Sequence, residues 1–183
     1  MTSETDIRLK RGWTTGACAT AATKAALYSL WSNEKLDIVS IKLPKGETPV
    51  FNISYHEKKK KWVEVGIVKD AGDDPDVTHG ALIKVKVEEI EAGIIFCAGP
   101  GVGIVTKPGL PILVGEPAIN PMPRKFITEV IVETAKVFNK SPNIKVTISI
   151  PNGKKIAENT WNARLGIKHG LSILGLSLIH ISE

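Results

Sequence analysis

Five short segments of this chain carry an apolar residue at every second position: Val39/Ile41/Leu43, Phe51/Ile53/Tyr55, Val63/Val65/Ile67, Ile83/Val85/Val87 and Ile144/Val146/Ile148/Ile150. A period of two sends alternate side chains to opposite faces, so each segment predicts a strand with one buried face. In the fourth, Lys84, Lys86 and Glu88 take the other face, and the fifth is the clearest strand of the chain. The buried faces need a covering layer. Gly16–Trp31 (GACATAATKAALYSLW) supplies one as a helix of strong helix formers, with Thr14 or Thr15 as N-cap. Its alanines at 17, 21, 22, 25 and 26 allow close approach to a neighbouring layer. A second helix opens at Asn120 with Pro121 or Pro123 and keeps Ile127, Val130, Ile131, Val137 and Phe138 at helical spacing. A short strand, Ile94–Cys97, is expected to pair antiparallel with the strand before it. Strands in succession with two helices predict an α+β fold, a mixed or antiparallel sheet with helices packed on it, and exclude a doubly wound sheet.

Between the short strand and the second helix, residues 98–123 read AGPGVGIVTKPGLPILVGEPAINPMP. A loop this long in a compact domain is functional or disordered. Here Ile104, Val105, Leu110, Ile112 and Leu113 would expose an apolar stretch unless the loop is ordered against the sheet. Gly99-Pro100-Gly101-Val102-Gly103 resembles a phosphate cradle in composition only. It leads into more loop, so no helix N-terminus follows to receive an anion. Asn152-Gly153 marks a turn.

At 183 residues and 43% hydrophobic content the chain has the size of one domain with a core of its own. No apolar run approaches the roughly 20 residues of a membrane span, and the polar start lacks a signal-peptide core. Cys18 and Cys97 lie far apart without metal-ligand spacing, which predicts free thiols in a reducing, cytoplasmic setting. Cys18 falls in the first turn of the first helix, where the dipole lowers a thiol pKa, or where a small buried residue simply fits. The formal charge is +5, and Lys58-Lys59-Lys60-Lys61 supplies four of the positive charges. That run lies between two alternating segments, which suits a solvated hairpin tip with His56 exposed beside it. Aromatic content of 5%, with no interleaving of aromatic and basic residues, argues against nucleic acid.

Four stretches go further: Thr14-Thr15-Gly16-Ala17-Cys18-Ala19; residues 69–80 (KDAGDDPDVTHG); residues 101–110 (GVGIVTKPGL); and residues 115–124 (GEPAINPMPR). A fifth, residues 162–175 (NARLGIKHGLSILG), closes the series. Together, in this order, they resemble the CbiD family, the cobalt-precorrin-5B methyltransferases of anaerobic cobalamin biosynthesis. Ala163 stands where the family usually has proline and His169 where it usually has glycine. The resemblance implies methyl transfer from S-adenosylmethionine to carbon 1 of a corrinoid precursor, with cobalt entering only as part of the substrate. It also implies a length about twice this one, with a Rossmann-like second domain that this chain lacks, so the chain alone is expected to be inactive. Residues 1–175 are accordingly expected to form the family's N-terminal α+β domain. Residues 176–183 (LSLIHISE) are the translation of a transposase adapter used in DNA library preparation and are expected to lie outside the fold.

Within those motifs Asp70, Asp73, Asp74, Asp76 and His79 are the densest group of carboxylates and imidazole, able to take a proton from the acceptor carbon. The same Asp-Asp-Pro-Asp run also suits a turn closed by side-chain-to-backbone bonds. It lacks the ligand spacing of a metal loop, and no metal site is expected. Precorrins carry many carboxylate arms, and Lys10, Lys69, Lys107, Arg124 and Arg164 are the cations beside family-like motifs. Thr14, Thr15, Glu116 and Asn120 join them as substrate-binding positions implied by the resemblance, with Gly101 and Gly103 assigned to the methyl donor. No membrane or nucleic-acid partner is expected. The alternative from another functional class is a non-enzymatic module in which the Gly/Pro loop and the basic hairpin grip RNA or a phosphate-rich ligand.

Overall fold

A computed structural model describes residues 12–72, 76–174 and 178–179. Lys10, Asp73 and Asp74 lie outside the described residues. In chain order the elements are β1 (Gly12–Trp13), α1 (Thr15–Ser32), β2 (Ile38–Ser40), β3 (Val50–Asn52), β4 (Tyr55–Lys58), β5 (Trp62–Val68), β6 (Leu82–Glu89), β7 (Ile94–Ala98), β8 (Gly101–Val102) and β9 (Ile104–Val105). They continue with α2 (Pro121–Phe138), β10 (Ile144–Ser149), α3 (Gly153–Ala157), α4 (Asn162–Leu165), β11 (Ile167–Lys168), β12 (Gly170–Leu171) and β13 (Leu178–Ile179).

The main sheet has five strands in the order β4-β5-β6-β10-β7. Its register sets the alternating apolar residues opposite one another, Val63 with Val87, Val65 with Val85, Ile67 with Ile83 and Val146 with Val87, so one face is a continuous apolar surface. Helix α1 lies on β5 and β6 with α2 beside it. Ala17, Ala19, Ala21, Ala22, Ala25 and Ala26 are all buried, which is how a helix enclosed on nearly every side can sit this close. Its interior hydroxyls bond within the helix, Thr20 to the Gly16 carbonyl and Thr23 to the Ala19 carbonyl, both at 2.8 Å. The opposite sheet face is polar, with Lys84 paired to Glu64 at 3.0 Å and standing 4.0 Å above the Tyr55 ring.

The α+β expectation holds, and three details differ. β7 does not pair with β6: β10 runs between them, antiparallel to β6 and parallel to β7. Ile144, Val146 and Ile148 are fully buried and suit a central strand, whereas half-exposed Ile95 marks β7 as an edge. The parallel pairing needs a crossover, which α2 provides. The segment Phe51/Ile53/Tyr55 is split, β3 pairing with β2 and β4 with β5. In α2 the buried residues are Pro123, Ile127, Ile131, Thr134 and Ala135, while Val137 falls between turns of that stripe and is exposed.

The Gly/Pro loop is ordered as expected, but as paired backbone. β8 runs parallel to β12, and β9 antiparallel to β11. Val105, Ile112, Ala118 and Ile167 form a small second core there, and Leu113, expected inside, is exposed. Within the segment expected outside the fold, the backbone of Leu178–Ile179 pairs antiparallel with β1.

Candidate functional site

A cavity of about 400 Å³ opens where three of the five motif stretches meet. Thr14 and Thr15 at the start of α1 form one wall, and Lys69, Asp76, Val77 and Thr78 another. Thr160, Trp161 and Asn162 before and at α4, with Leu171, Ser172 and Leu174 after β12, complete it. The α1 terminus is locked in place by Leu174. The Thr15 hydroxyl accepts from the Leu174 N–H at 3.0 Å, and the Leu174 carbonyl accepts from the Gly16 N–H at 3.0 Å. Thr14 is the N-cap, its hydroxyl accepting from the Ala17 N–H at 3.1 Å.

Lys69 directly follows β5, and backbone bonds to Ala81 and Gly80, each 2.8 Å, clamp both ends of the loop it begins. Its side chain is 3% exposed, and the ammonium donates to Asp76 Oδ2 at 2.6 Å and to the Thr78 hydroxyl. Asp76 Oδ1 accepts from the Thr78 N–H at 2.7 Å and from its hydroxyl at 2.6 Å. Burial alone would raise the Asp76 pKa. The bonds from Lys69 and Thr78 outweigh it and hold the carboxyl below its ordinary value. A carboxylate has about four acceptor directions, and these contacts use three.

The carboxylate cluster read from the sequence therefore divides. Asp76 faces the 400 Å³ cavity, whereas Asp70 lines a separate one of about 240 Å³ with Trp13 and Phe51. Asp70 Oδ1 accepts from the Gly72 N–H at 2.8 Å. Exposed His79 accepts from the Ala71 N–H through Nδ1 at 3.0 Å, which places its ring proton on Nε2.

The other expected positions are spread more widely. Arg124 donates from Nε to the Ile119 carbonyl at 2.7 Å and from Nη2 to the Pro117 carbonyl at 2.9 Å, with Glu116 at 3.5 Å and the Phe96 ring at 5.4 Å. These partners account for a cation at a helix start, where the dipole alone disfavours it. Asn120 joins this group through its backbone, donating to the Ile173 carbonyl at 3.0 Å. Lys107 lays its stem against Gly166, away from the cavity lining. Arg164 stacks 4.7 Å from the Trp161 ring at the cavity rim. At Gly101 (φ +85°) a Cβ would lie 1.8 Å from the Ile150 carbonyl oxygen, and at Gly103 it would lie 2.4 Å from Ile167 Cγ2. Both positions thus lack room for a side chain, Gly101 against the Ile150 backbone and Gly103 against Ile167 and the Gly170 carbonyl.

Burial pushes the Cys18 thiol up to about 12, so the small buried residue prevails over the dipole-activated one. His56 is not simply exposed: Nε2 lies 2.9 Å from the Ser29 hydroxyl. Burial, with Lys35 and Lys58 nearby, lowers its pKa. Lys58 of the basic run closes the end of α1, donating to the Ser29 carbonyl at 3.0 Å and to the Asn33 amide. Among the described residues no three of His, Cys, Asp and Glu come together, and no helix is long and apolar enough to cross a membrane. Trp161, Thr160, Thr78 and Ser172 line the cavity without having been expected there from the sequence. Thr78 and Ser172 belong to the 69–80 and 162–175 motifs, and Trp161 directly precedes the latter, which is the signal the sequence offers for it.

The family described as CbiD matches residues 2–180. A cobalt-precorrin-5B C(1)-methyltransferase of Brucella anthropi is 53% identical over 175 residues, covering 94% of this chain and 48% of its own length. That of Paramagnetospirillum magneticum is 53% identical over 169 residues, covering 91% of this chain and 47% of its own. The crystal structure of a cobalamin biosynthesis protein (cbiD) from Archaeoglobus fulgidus superposes with a TM-score of 0.73 at 34% identity, covering 94% of this chain and 55% of that one. The chain thus spans about half the length of the curated relatives it matches.

Proposed function

The chain belongs to the CbiD family, and from that membership we propose that it is the acceptor-side domain of a cobalt-precorrin-5B C(1)-methyltransferase in cobalamin biosynthesis. S-adenosylmethionine supplies the methyl group as an electrophile. In such a displacement the acceptor carbon provides the electron pair, the sulfur keeps the pair of the broken bond, and positive charge passes from sulfonium to macrocycle. The protein's work is to orient the acceptor, exclude water and stabilise that arriving charge.

The observation that carries this assignment is the Lys69–Asp76 pair in the cavity wall. A carboxylate held ionised, with one acceptor direction left, is a preorganised negative group for charge developing on the macrocycle. Its lowered pKa suits electrostatic stabilisation better than proton abstraction, since a general base works best with a pKa near the operating pH. Lys69 is a positioning residue, acting through Asp76. Gly101 and Gly103 pack tightly against the protein's own chain, which supports placing the methyl donor on the part of the family's length beyond this match.

The test is to mix the chain with cobalt-precorrin-5B and S-adenosylmethionine, following corrinoid binding by equilibrium dialysis and methyl incorporation by mass. Binding without turnover is expected. Turnover at the rate of a full-length relative refutes the division of labour, and failure to bind the corrinoid refutes the acceptor-side assignment. With this domain joined to the remaining length of a relative, Asp76→Asn should lower the rate of transfer more than substrate affinity.

A further inference from the structure

The rim of the cavity is unlike its floor. Trp161, Val77 and Leu174 all line the cavity, yet they are 68%, 47% and 51% exposed. Large apolar side chains gathered in the open around a polar floor mark a surface shaped for a ligand. Trp161 stands immediately before α4, and Arg164, one turn on, lays its guanidinium 4.7 Å from the indole. One indole face is thereby taken and the exposed remainder is open. Arg164 forms no ion pair among the described residues, so its planar fork is available to an incoming carboxylate.

Resting on the acceptor-side assignment above, we propose that Trp161 and Arg164 form a platform for the corrinoid: the macrocycle lies on the open indole face while one of its peripheral carboxylate arms reaches past the indole edge to the guanidinium. The occupant follows from complementarity. A broad, largely apolar ring edged with carboxylates matches an exposed indole backed by a cation with no acidic partner among the described residues. Neither element alone selects it, because an indole accepts any flat ligand and a guanidinium any anion. Arg164 carries the selection for free carboxylates and Trp161 the selection for a ring.

Two stable corrinoids separate these contributions in equilibrium dialysis with the intact chain: dicyanocobyrinic acid, whose arms are carboxylates, and dicyanocobinamide, whose arms are amides. Trp161→Ala should weaken binding of both by about tenfold or more, and Trp161→Phe should restore most of it. Arg164→Ala should weaken the acid by about tenfold and leave the amide nearly unchanged. Thermal melts confirm that these surface variants fold. Equal affinity of Trp161→Ala and the unaltered chain overturns the platform while leaving the acceptor-side assignment standing. So does a finding that Trp161→Ala only dissociates an oligomer, since the rim would then be a subunit contact. No binding of either corrinoid by the unaltered chain overturns both.

Discussion

Removing either member of the Lys69–Asp76 pair should destabilise the domain, and removing both should cost much less than the sum. The asymmetry of burial sets the sizes. Lys69 is 3% exposed, so Asp76→Asn strands a cation with a neutral amide and the Thr78 hydroxyl for company. Breaking a buried pair from one side costs about 3 to 5 kcal/mol, and the retained bonds reduce this to about 2 to 3. Asp76 is 28% exposed and keeps both bonds from Thr78, so Lys69→Met should cost about 1 to 2 kcal/mol. The double variant has neither charge and places an apolar side chain where the lysine stem ran. Its cost should return to about 1 to 2 kcal/mol, a coupling of roughly 2 kcal/mol. Urea titrations with a slope of about 2 kcal/mol/M would register the Asp76→Asn loss as a midpoint shift of roughly 1 to 1.5 M. The pH dependence gives a second readout. Because the folded Asp76 carboxyl is held below its ordinary value, the unfolded chain takes up a proton first as pH falls. The stability it contributes is complete above the ordinary carboxylate pKa of about 4 and is lost as pH falls through the lower folded value. Asp76→Asn should flatten that acid limb. Additivity of the two single variants within about 0.5 kcal/mol, or an unchanged acid limb, would refute a coupled, functionally poised pair.

Three further outcomes follow from the packing. Gly101→Ala meets the Ile150 carbonyl and a positive φ together and should cost more than about 3 kcal/mol in chemical denaturation, whereas Gly109→Ala, at φ +104° with nothing within 4 Å, should cost only about 1. Thiol titration of the native chain should modify half-buried Cys97 first, with Cys18 reacting only on unfolding, because its pKa of about 12 leaves almost no thiolate at neutral pH. Arg124→Ala should lower stability by about 1.5 to 3 kcal/mol through lost bonds to the Ile119 and Pro117 carbonyls, read as a lower melting temperature.

What the sequence made legible is what depends on local periodicity. The strands through Val63–Ile67, Ile83–Val87 and Ile144–Ile148 and the alanine-rich helix capped by Thr14 are each encoded within one stretch of chain. Choice of neighbour is not local. β10 displaces β7 from β6 because fully buried Val146 and Ile148 fit a central strand, a comparison between segments some fifty residues apart that no window contains. The Gly/Pro loop shows the same limit. Its apolar content announced order, but the partners of β8 and β9 lie some sixty residues downstream in β12 and β11. Gly101 and Gly103 are glycines because of that crossing, and in the sequence alone a backbone crossing and a ligand cradle look alike.

The aspartate motif is the instructive case, because Asp76 uses its two oxygens differently, one for the turn and one for an ion pair with Lys69. Oδ1 closes the turn onto Thr78, as a short acidic residue before a loop should. Oδ2 faces Lys69, which reaches it from the end of β5 across a loop clamped by Ala81 and Gly80. The turn is what makes the second role feasible: it fixes the carboxylate plane, so the buried ammonium meets one oxygen at 2.6 Å instead of sharing a mobile charge with solvent. Substituting Asn keeps an acceptor for the turn and loses the charge, whereas Glu keeps the charge and moves it one methylene away from the Thr78 bonds. A site that needed only the turn would tolerate Asn better than Glu. A site that needs ionised oxygen at a fixed place should tolerate neither, and that joint intolerance separates a positioned charge from a turn that happens to be acidic.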